Sequence, residues 1–413
     1  MNIPTFSQAD VLILGAGPVG LAAAAHALAR GLSPVVLEAG LAVAGSMREY
    51  AHVRLFSPWR YNVDKAAAAL LAAQGWTAPE ADGLPTAGEM VTRYLEPLAA
   101  VPEMAGRIVF GARVTAVARE GDGFVARYLG GEMRGRFVID ATGTWGTPNG
   151  LGARGERENA DRIFYGIPDV AGALRERYWG RRVLVVGAGH SAANSLLALT
   201  GDVVWAVRGG EPRRAFGGGV KDALPARGEL GTVLREKARM GGLQLVTDFV
   251  VERVERVGET LTVSGGGRRI EGIDEIICAT GQRPDLTMTA GMRLGLYPGL
   301  DSVAALGPLI DPAVHSCGTV RPHGHRELSH PEPGFYTAGV KSYGRAPTFL
   351  LATGYEQVRS ITAALAGDLA AADAVELELP ETGVCGFAPK GEPCCEVKPT
   401  GGCCGQPAGA CCG

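Results

Sequence analysis

Val11-Leu12-Ile13-Leu14-Gly15-Ala16-Gly17-Pro18-Val19-Gly20 carries more of the architecture than any other part of the chain. An apolar run of strand length meets a glycine-rich turn, and an alanine-rich helix, roughly Leu21 to Ala29, is expected to follow. The same plan returns at Val183-Leu184-Val185-Val186-Gly187-Ala188-Gly189-His190-Ser191-Ala192, ahead of a helix expected from Ala193 to Leu199. Each copy continues into a second strand. Pro34 to Leu37 ends on Glu38, and Val203 to Val207 ends on Arg208. Each closes on the same tripeptide: Phe137-Val138-Ile139 runs into Asp140-Ala141-Thr142-Gly143, and Ile276-Ile277-Cys278 into Ala279-Thr280-Gly281. Between opening and close lie short β-rich runs, among them Val114 to Arg119 and Phe124 to Tyr128 flanking the turn Gly121-Asp122-Gly123.

In such a turn the first glycine permits the tight passage from strand to helix, and the second lets a pyrophosphate approach the backbone. The third small residue lets helix and strand pack closely. The helix start then offers unpaired N–H groups and a positive dipole end to the phosphate. One glycine fingerprint is weak; two, each after a strand and each followed about 20 residues later by a discriminating residue, are strong. A carboxylate such as Glu38 accepts adenosine ribose hydroxyls and repels a 2′-phosphate, whereas Arg208 pairs with one, with Arg213 and Arg214 close behind. The first copy is therefore read as an FAD cradle (Gly15, Gly17, Gly20, Glu38, Gly143) and the second as an NADPH cradle (Gly187, Gly189, Ser191, Ala192, Arg208). The competing readings are glycine turns without a ligand and, for Arg208, a solvated loop arginine.

Composition narrows the class. At 413 residues the chain has room for roughly two to three domains. A hydrophobic fraction of 46% with 20% charged residues describes a globular protein. The 61 glycines are about double the usual share and follow no three-residue period, so they point to backbone turns. A net charge of -3 argues against nucleic acid as a partner. No run of about 18 apolar residues exists, and the first apolar run leads into a glycine turn rather than a cleavage site. The expected address is the cytoplasm, without a membrane partner. Of nine cysteines, Cys278 and Cys317 lie in the body of the chain and seven near its end. An odd number in a reducing compartment points to free thiols.

The arrangement resembles the two-dinucleotide-binding-domain flavoproteins, which include flavin-containing monooxygenases and disulfide reductases. The resemblance, over roughly residues 8 to 370, implies an α/β fold with two Rossmann-like domains, the FAD domain discontinuous and the NADPH domain inserted in it; composition adds a disordered Cys-rich tail. The expected bounds are 1–160 and 285–372 for the FAD domain, 161–284 for the NADPH domain and 373–413 for the tail. No C-x-x-C occurs in the chain, and Val340-Lys341 stands where disulfide reductases carry a late aspartate. By contrast Ala141-Thr142-Gly143-Thr144-Trp145-Gly146-Thr147-Pro148 is similar to the monooxygenase linker. Phe164-Tyr165-Gly166 matches the start of the monooxygenase interdomain motif. Val170 replaces its histidine and Leu174 its aromatic, which sets the chain apart from typical Baeyer–Villiger enzymes. Three stretches resemble the flavoprotein monooxygenase-like proteins found with bacterial arsenic-resistance genes: Val53 to Tyr61, Leu309 to His323, and Lys341 to Phe349.

By position, the resemblance places Gly339, Thr348 and Phe349 at a late helix aimed at the flavin, with Pro347 suited to its first turn. It implies flavin-centred catalysis with hydride passing from NADPH to FAD and O2 as a further reactant, the protein supplying orientation, electrostatics and a dry cavity. His315, Cys317 and His323 form the candidate active-site loop, joined by His325 and His330; a bound metal and a plain surface loop are the rival readings. His190 is read as a nucleotide-side or core residue.

The end of the chain is rich in proline and glycine and carries Cys385 and three adjacent pairs, Cys394-Cys395, Cys403-Cys404 and Cys411-Cys412. As thiolates the pairs suit a soft metal or metalloid, and they also resemble the tail of bacterial mercuric reductases. Disulfide shuttling and a dispensable end are the alternatives. The expected function is an FAD- and NADPH-dependent monooxygenase acting on a small-molecule substrate, linked to arsenic or another thiophilic toxicant. The alternatives are a reductase of metalloids or thiols, and a soft-metal-binding flavoprotein without turnover.

Overall fold

The computed structural model describes residues 9–222, 224–314, 320–347 and 349–377. The opening strand β1 (Ala9–Leu14) is apolar on both faces because both are covered. Beside it lie β2 (Pro34–Leu37) and β3 (Ile108–Val109), followed in the chain by β4 (Val114–Glu120), β5 (Gly123–Tyr128) and β6 (Gly131–Asp140). The sheet order is β3-β2-β1-β6-β5-β4. β1 runs parallel to β2 and to the second half of β6, with Leu12 opposite both Val35 and Val138. The strand Phe335–Thr337 returns from far along the chain to pair in parallel with β6, Phe335 opposite Val138. This sheet is thus built from two separate stretches of sequence.

Alternation along β1 sorts its side chains into two cores. Val11 and Ile13 face the helices Pro18–Ala29 and Leu351–Leu365, while Leu12 and Leu14 face Val117, Phe124 and Phe335. The first helix begins at Pro18, three residues before the expected start, because proline fits the first helical position. Its Ala22 to Ala25 are fully buried, which lets the sheet and the late helix close on it from both sides.

The second sheet holds β7 (Ile163–Tyr165), β8 (Val183–Val186), β9 (Val203–Ala206), β10 (Gln244–Val246) and β14 (Glu275–Cys278), in the order β10-β9-β8-β14-β7 and parallel throughout. An antiparallel meander, β11 (Arg253–Val257), β12 (Thr260–Gly265) and β13 (Arg268–Ile273), lies on one face, and the helices His190–Ala198 and Pro225–Arg239 on the other. Two chain segments connect the sheets and are bonded to each other. The Asn149 N–H donates to the Gly281 carbonyl at 2.9 Å, the Arg283 N–H to the Thr147 carbonyl at 3.1 Å, and the Thr144 hydroxyl to Gln282 at 3.1 Å.

Two expectations about the late part of the chain need adjusting. The late helix starts at Leu351 rather than beside Pro347. Arg345 gives its N–H to the Leu300 carbonyl and Ala346 gives its own to Tyr343, which ties this stretch into the preceding turn. The segment expected to be flexible from residue 373 is held through Glu376. Ser360 bonds the Ala372 carbonyl, Arg359 bonds the carbonyls of Ala371 and Ala374, and Glu356 accepts the Glu376 N–H. Among the described residues no helix is long and apolar enough to cross a membrane.

Candidate functional site

The glycines of the first cradle have different physical causes. Gly15 has φ +94, and a Cβ there would meet the Ala141 carbonyl at 3.0 Å. At Gly20 a Cβ would stand 2.0 Å from the Gly15 carbonyl, a clash that the close helix–strand contact does not tolerate. The fold itself demands both. Gly17 is another matter: its φ of -78 and ψ of -177 suit any residue, and no protein atom lies within 4 Å of where its Cβ would be. A residue that the protein leaves free to be larger, in the turn that opens a helix, fits a group that must approach the backbone from outside. Glu38, buried at the end of β2, turns one carboxylate oxygen to the Ala16 N–H and the other to the Gly40 N–H, both at 2.7 Å. Gly143 continues the chain beyond β6, with Val340 as its nearest neighbour.

The second cradle repeats the pattern. A Cβ on Gly187 would meet the Ala279 carbonyl at 2.2 Å, whereas Gly189 is extended with nothing within 4 Å of its Cβ position. Ala192 is buried against the sheet, and Ser191 is half-buried in the first helical turn. Arg208 is exposed just past β9; Arg213 is engaged by Glu211 at 2.9 Å. The cradle residues therefore fit FAD in the first sheet and a pyridine nucleotide in the second. His190, first in its helix, stacks on Phe56 of the flavin-side domain at 5.3 Å between ring centroids, and its Nε2 is buried without a hydrogen-bond partner. Burial, with the Arg227 and Arg214 charges adding to it, pushes its pKa down to about 4.

Beside the first cradle lies a cluster that no sequence motif announced. The Lys341 ammonium donates to Asp140 at 2.6 Å and to the Thr142 hydroxyl at 2.9 Å, with lysine and carboxylate side chains 1% and 2% exposed. Thr142 donates its hydroxyl to the other Asp140 oxygen at 2.7 Å. This triad ties the end of β6 to the turn Gly339–Tyr343. A second net braces the same turn. Gln357 accepts the Gly339 N–H at 2.7 Å and donates to Ser342 and to His323 Nε2. The faint sequence sign of all this is Val340-Lys341 following Gly339, where disulfide reductases carry an aspartate after the glycine.

His323 is buried beneath that turn, its Nδ1 facing the Arg321 carbonyl, and burial lowers its pKa. His330 lies between the Gly295 N–H and the Thr337 hydroxyl, and His325 pairs with Asp373 at 2.9 Å. Among the described residues no three His, Cys, Asp or Glu side chains converge as a metal site. Phe349 packs on Tyr343 at 5.3 Å between centroids. Val170, at the position of the monooxygenase histidine, is buried in the nucleotide-domain core. His315, Cys317 and Thr348 lie outside the described residues, as do Cys394, Cys395, Cys403, Cys404, Cys411 and Cys412.

With its two glycine turns, one per sheet, and its paired linker, the chain can be compared with known proteins. The family described as pyridine nucleotide-disulphide oxidoreductase matches residues 12–296. This chain belongs to that family. It is an oxidoreductase, and FAD and a pyridine nucleotide are its cofactors. The ferredoxin–NADP reductase of Thermus thermophilus is 29% identical over 253 residues, 60% of this chain and 63% of the relative. The indole-3-pyruvate monooxygenase YUCCA1 of Oryza sativa subsp. japonica is 32% identical over 195 residues, 46% of this chain and 44% of the relative. The chain thus spans less than two thirds of the length of either relative. Among solved structures, the bacillithiol disulfide reductase Bdr (YpdA) of Bacillus cereus superposes with a TM-score of 0.67 at 20% identity, over 87% of this chain and 99% of the other. At that identity the likeness is one of fold.

Proposed function

We propose that the chain is an NADPH-dependent FAD oxidoreductase of the monooxygenase type. The first cradle, with Glu38, Gly143 and the turn at Gly339, holds FAD. The second, with Ser191, Ala192 and Arg208, holds NADPH, Arg208 facing the 2′-phosphate. FAD bound there would supply two-electron redox chemistry, with the nicotinamide as hydride donor. The protein's own part is to hold both nucleotides by backbone N–H groups and to keep water from the space between them.

What carries the choice of oxygen as electron acceptor is Cys278, the one cysteine among the described residues. It is buried in β14, and burial pushes its thiol up to about 11. Its neighbours are the Asn149 carbonyl on the linker and the Thr280 hydroxyl just past β14. A lone thiol is already fully reduced and takes no electrons from a flavin; only a disulfide does, and Cys278 has no second cysteine beside it among the described residues. The likeness to a monooxygenase over 195 residues supports the same choice. The three adjacent cysteine pairs near the end of the chain favour a thiophilic substrate such as an arsenical, and they are also the ground for a second reading, reduction of a metalloid or of the tail thiols themselves.

Oxygen stoichiometry separates the two. The purified protein is reduced anaerobically with NADPH and then mixed with air, with and without arsenite or an organic arsenical. Oxygen uptake that rises with the added compound, with its oxidised product formed, supports the monooxygenase. NADPH oxidation in the absence of oxygen, driven by the oxidised form of the compound or by disulfides of the tail cysteines, supports the reductase instead.

A further inference from the structure

Two nucleotides held in separate domains react only if the domains meet at the right angle, and the paired linker segments are by themselves a soft connection. Trp145 stands on one of them, next to Thr144. Its indole N–H donates to Oε2 of Glu49 at 2.6 Å, and its ring lies 4.5 Å from that of Tyr50, centroid to centroid. Glu49 ends the short helix Gly45–Glu49, whose preceding residue Ala44 donates its N–H to the Ala16 carbonyl in the first cradle. That side of the indole is therefore fixed to the flavin-side domain. The six-membered ring of the indole lies against Gly166, the residue after β7 at the edge of the nucleotide-side sheet. Gly166 has φ +112, a Cβ there would stand 3.4 Å from the indole, and its N–H donates to the Cys278 carbonyl at the end of β14. One flat side chain is thus seated against both domains, and a hydrogen bond to a charged group sets its orientation.

We propose that Trp145, oriented by Glu49, is a positioning residue that holds the nucleotide-side domain at the angle needed for hydride transfer. The proposal rests on reading the two cradles as the FAD and NADPH sites. Hydride transfer requires the reacting atoms at roughly 3–3.5 Å, and misplacement by about 1 Å costs on the order of 100-fold in rate. A small pivot at the linker, far smaller than unfolding, is enough to produce that loss. Without its bond to Glu49 the indole still packs, but nothing sets its orientation on the flavin side.

The test compares Trp145→Phe, Glu49→Ala and Glu49→Gln in the flavin-loaded protein. Flavin reduction is followed anaerobically by stopped flow with saturating NADPH, and separately with 1-benzyl-1,4-dihydronicotinamide, a free donor that does not use the nucleotide-side domain. In Trp145→Phe and Glu49→Ala reduction by NADPH is expected to slow by about tenfold or more. Reduction by the free donor stays unchanged, and Glu49→Gln, which keeps an acceptor oxygen, recovers most of the NADPH rate. Equal loss with both donors, or no loss with NADPH, overturns the proposal.

A second measurement does not depend on turnover. Amide hydrogen exchange of the linker residues 144–149 and 281–283 in the as-purified protein is expected to quicken in Trp145→Phe and Glu49→Ala, and unchanged exchange overturns the clamp. If wild-type protein holds FAD yet is not reduced by NADPH, the cofactor reading fails, and the exchange result still decides the role of Trp145.

Discussion

Lys341 and Asp140 form an ion pair with almost no water around it, and such pairs are strongly coupled to their own integrity. Lys341→Met leaves the carboxylate buried, with Thr142 as its remaining donor. The variant should lose about 3–5 kcal/mol of stability in denaturant unfolding, and Asp140→Asn in the same chain should restore part of it. A loss under about 1 kcal/mol would mean that water reaches Asp140 in solution. His330 offers a proton-linked check. Both its nitrogens are engaged, and burial pushes its pKa down to about 4. The unfolded chain takes up the proton first, near pH 6.5, so the contribution of the neutral ring is whole above that pH and is lost as pH falls toward about 4. Unfolding free energies measured across this window should fall more steeply for the wild type than for His330→Gln, whose side chain does not titrate. Parallel curves would show that the histidine is protonated in the folded protein.

At the scale of the strand–turn–helix unit, the cradles separate folding from ligand binding. Gly17→Ala places a methyl in open space on an extended backbone, so the flavin-free variant should unfold at the same temperature as flavin-free wild type, while FAD content after purification drops by about tenfold or more. Gly20→Ala drives a methyl to 2.0 Å from the Gly15 carbonyl and should lower the unfolding temperature whether or not flavin is present. A Gly17→Ala protein that keeps its full flavin complement would remove the phosphate from that turn. The late helix is the opposite case. Its start was expected beside Pro347 from a local rule, yet hydrogen bonds to Leu300 and Tyr343 hold that stretch in the preceding turn.

The whole molecule keeps residues 371–376 folded back along the late helix by bonds from Arg359, Ser360 and Glu356. Cutting the chain after Leu377 removes all seven late cysteines but none of those bonds, and should leave the unfolding temperature unchanged. Cutting after Ala372 strips the Ala374 carbonyl from a buried arginine and should cost about 1–3 kcal/mol. Equal stability of the two truncations would show that this strap adds nothing. Metalloid affinity of the first truncation then reports on the cysteines alone.

The two glycine turns, the strands before them and the acidic or basic residue after each second strand could be read directly, because a tight turn, a buried parallel strand and a phosphate cradle each require particular residue types at short spacing. Those demands are local, so the chain states them locally. The pairing of Lys341 with Asp140 from the far end of the chain, the burial of His323 under Gln357, and the seating of Trp145 between Glu49 and Gly166 have no such sign. They arise where a late strand returns to the first sheet and where one domain is set against another, and which side chains meet there is fixed by contacts between distant segments once the core has closed.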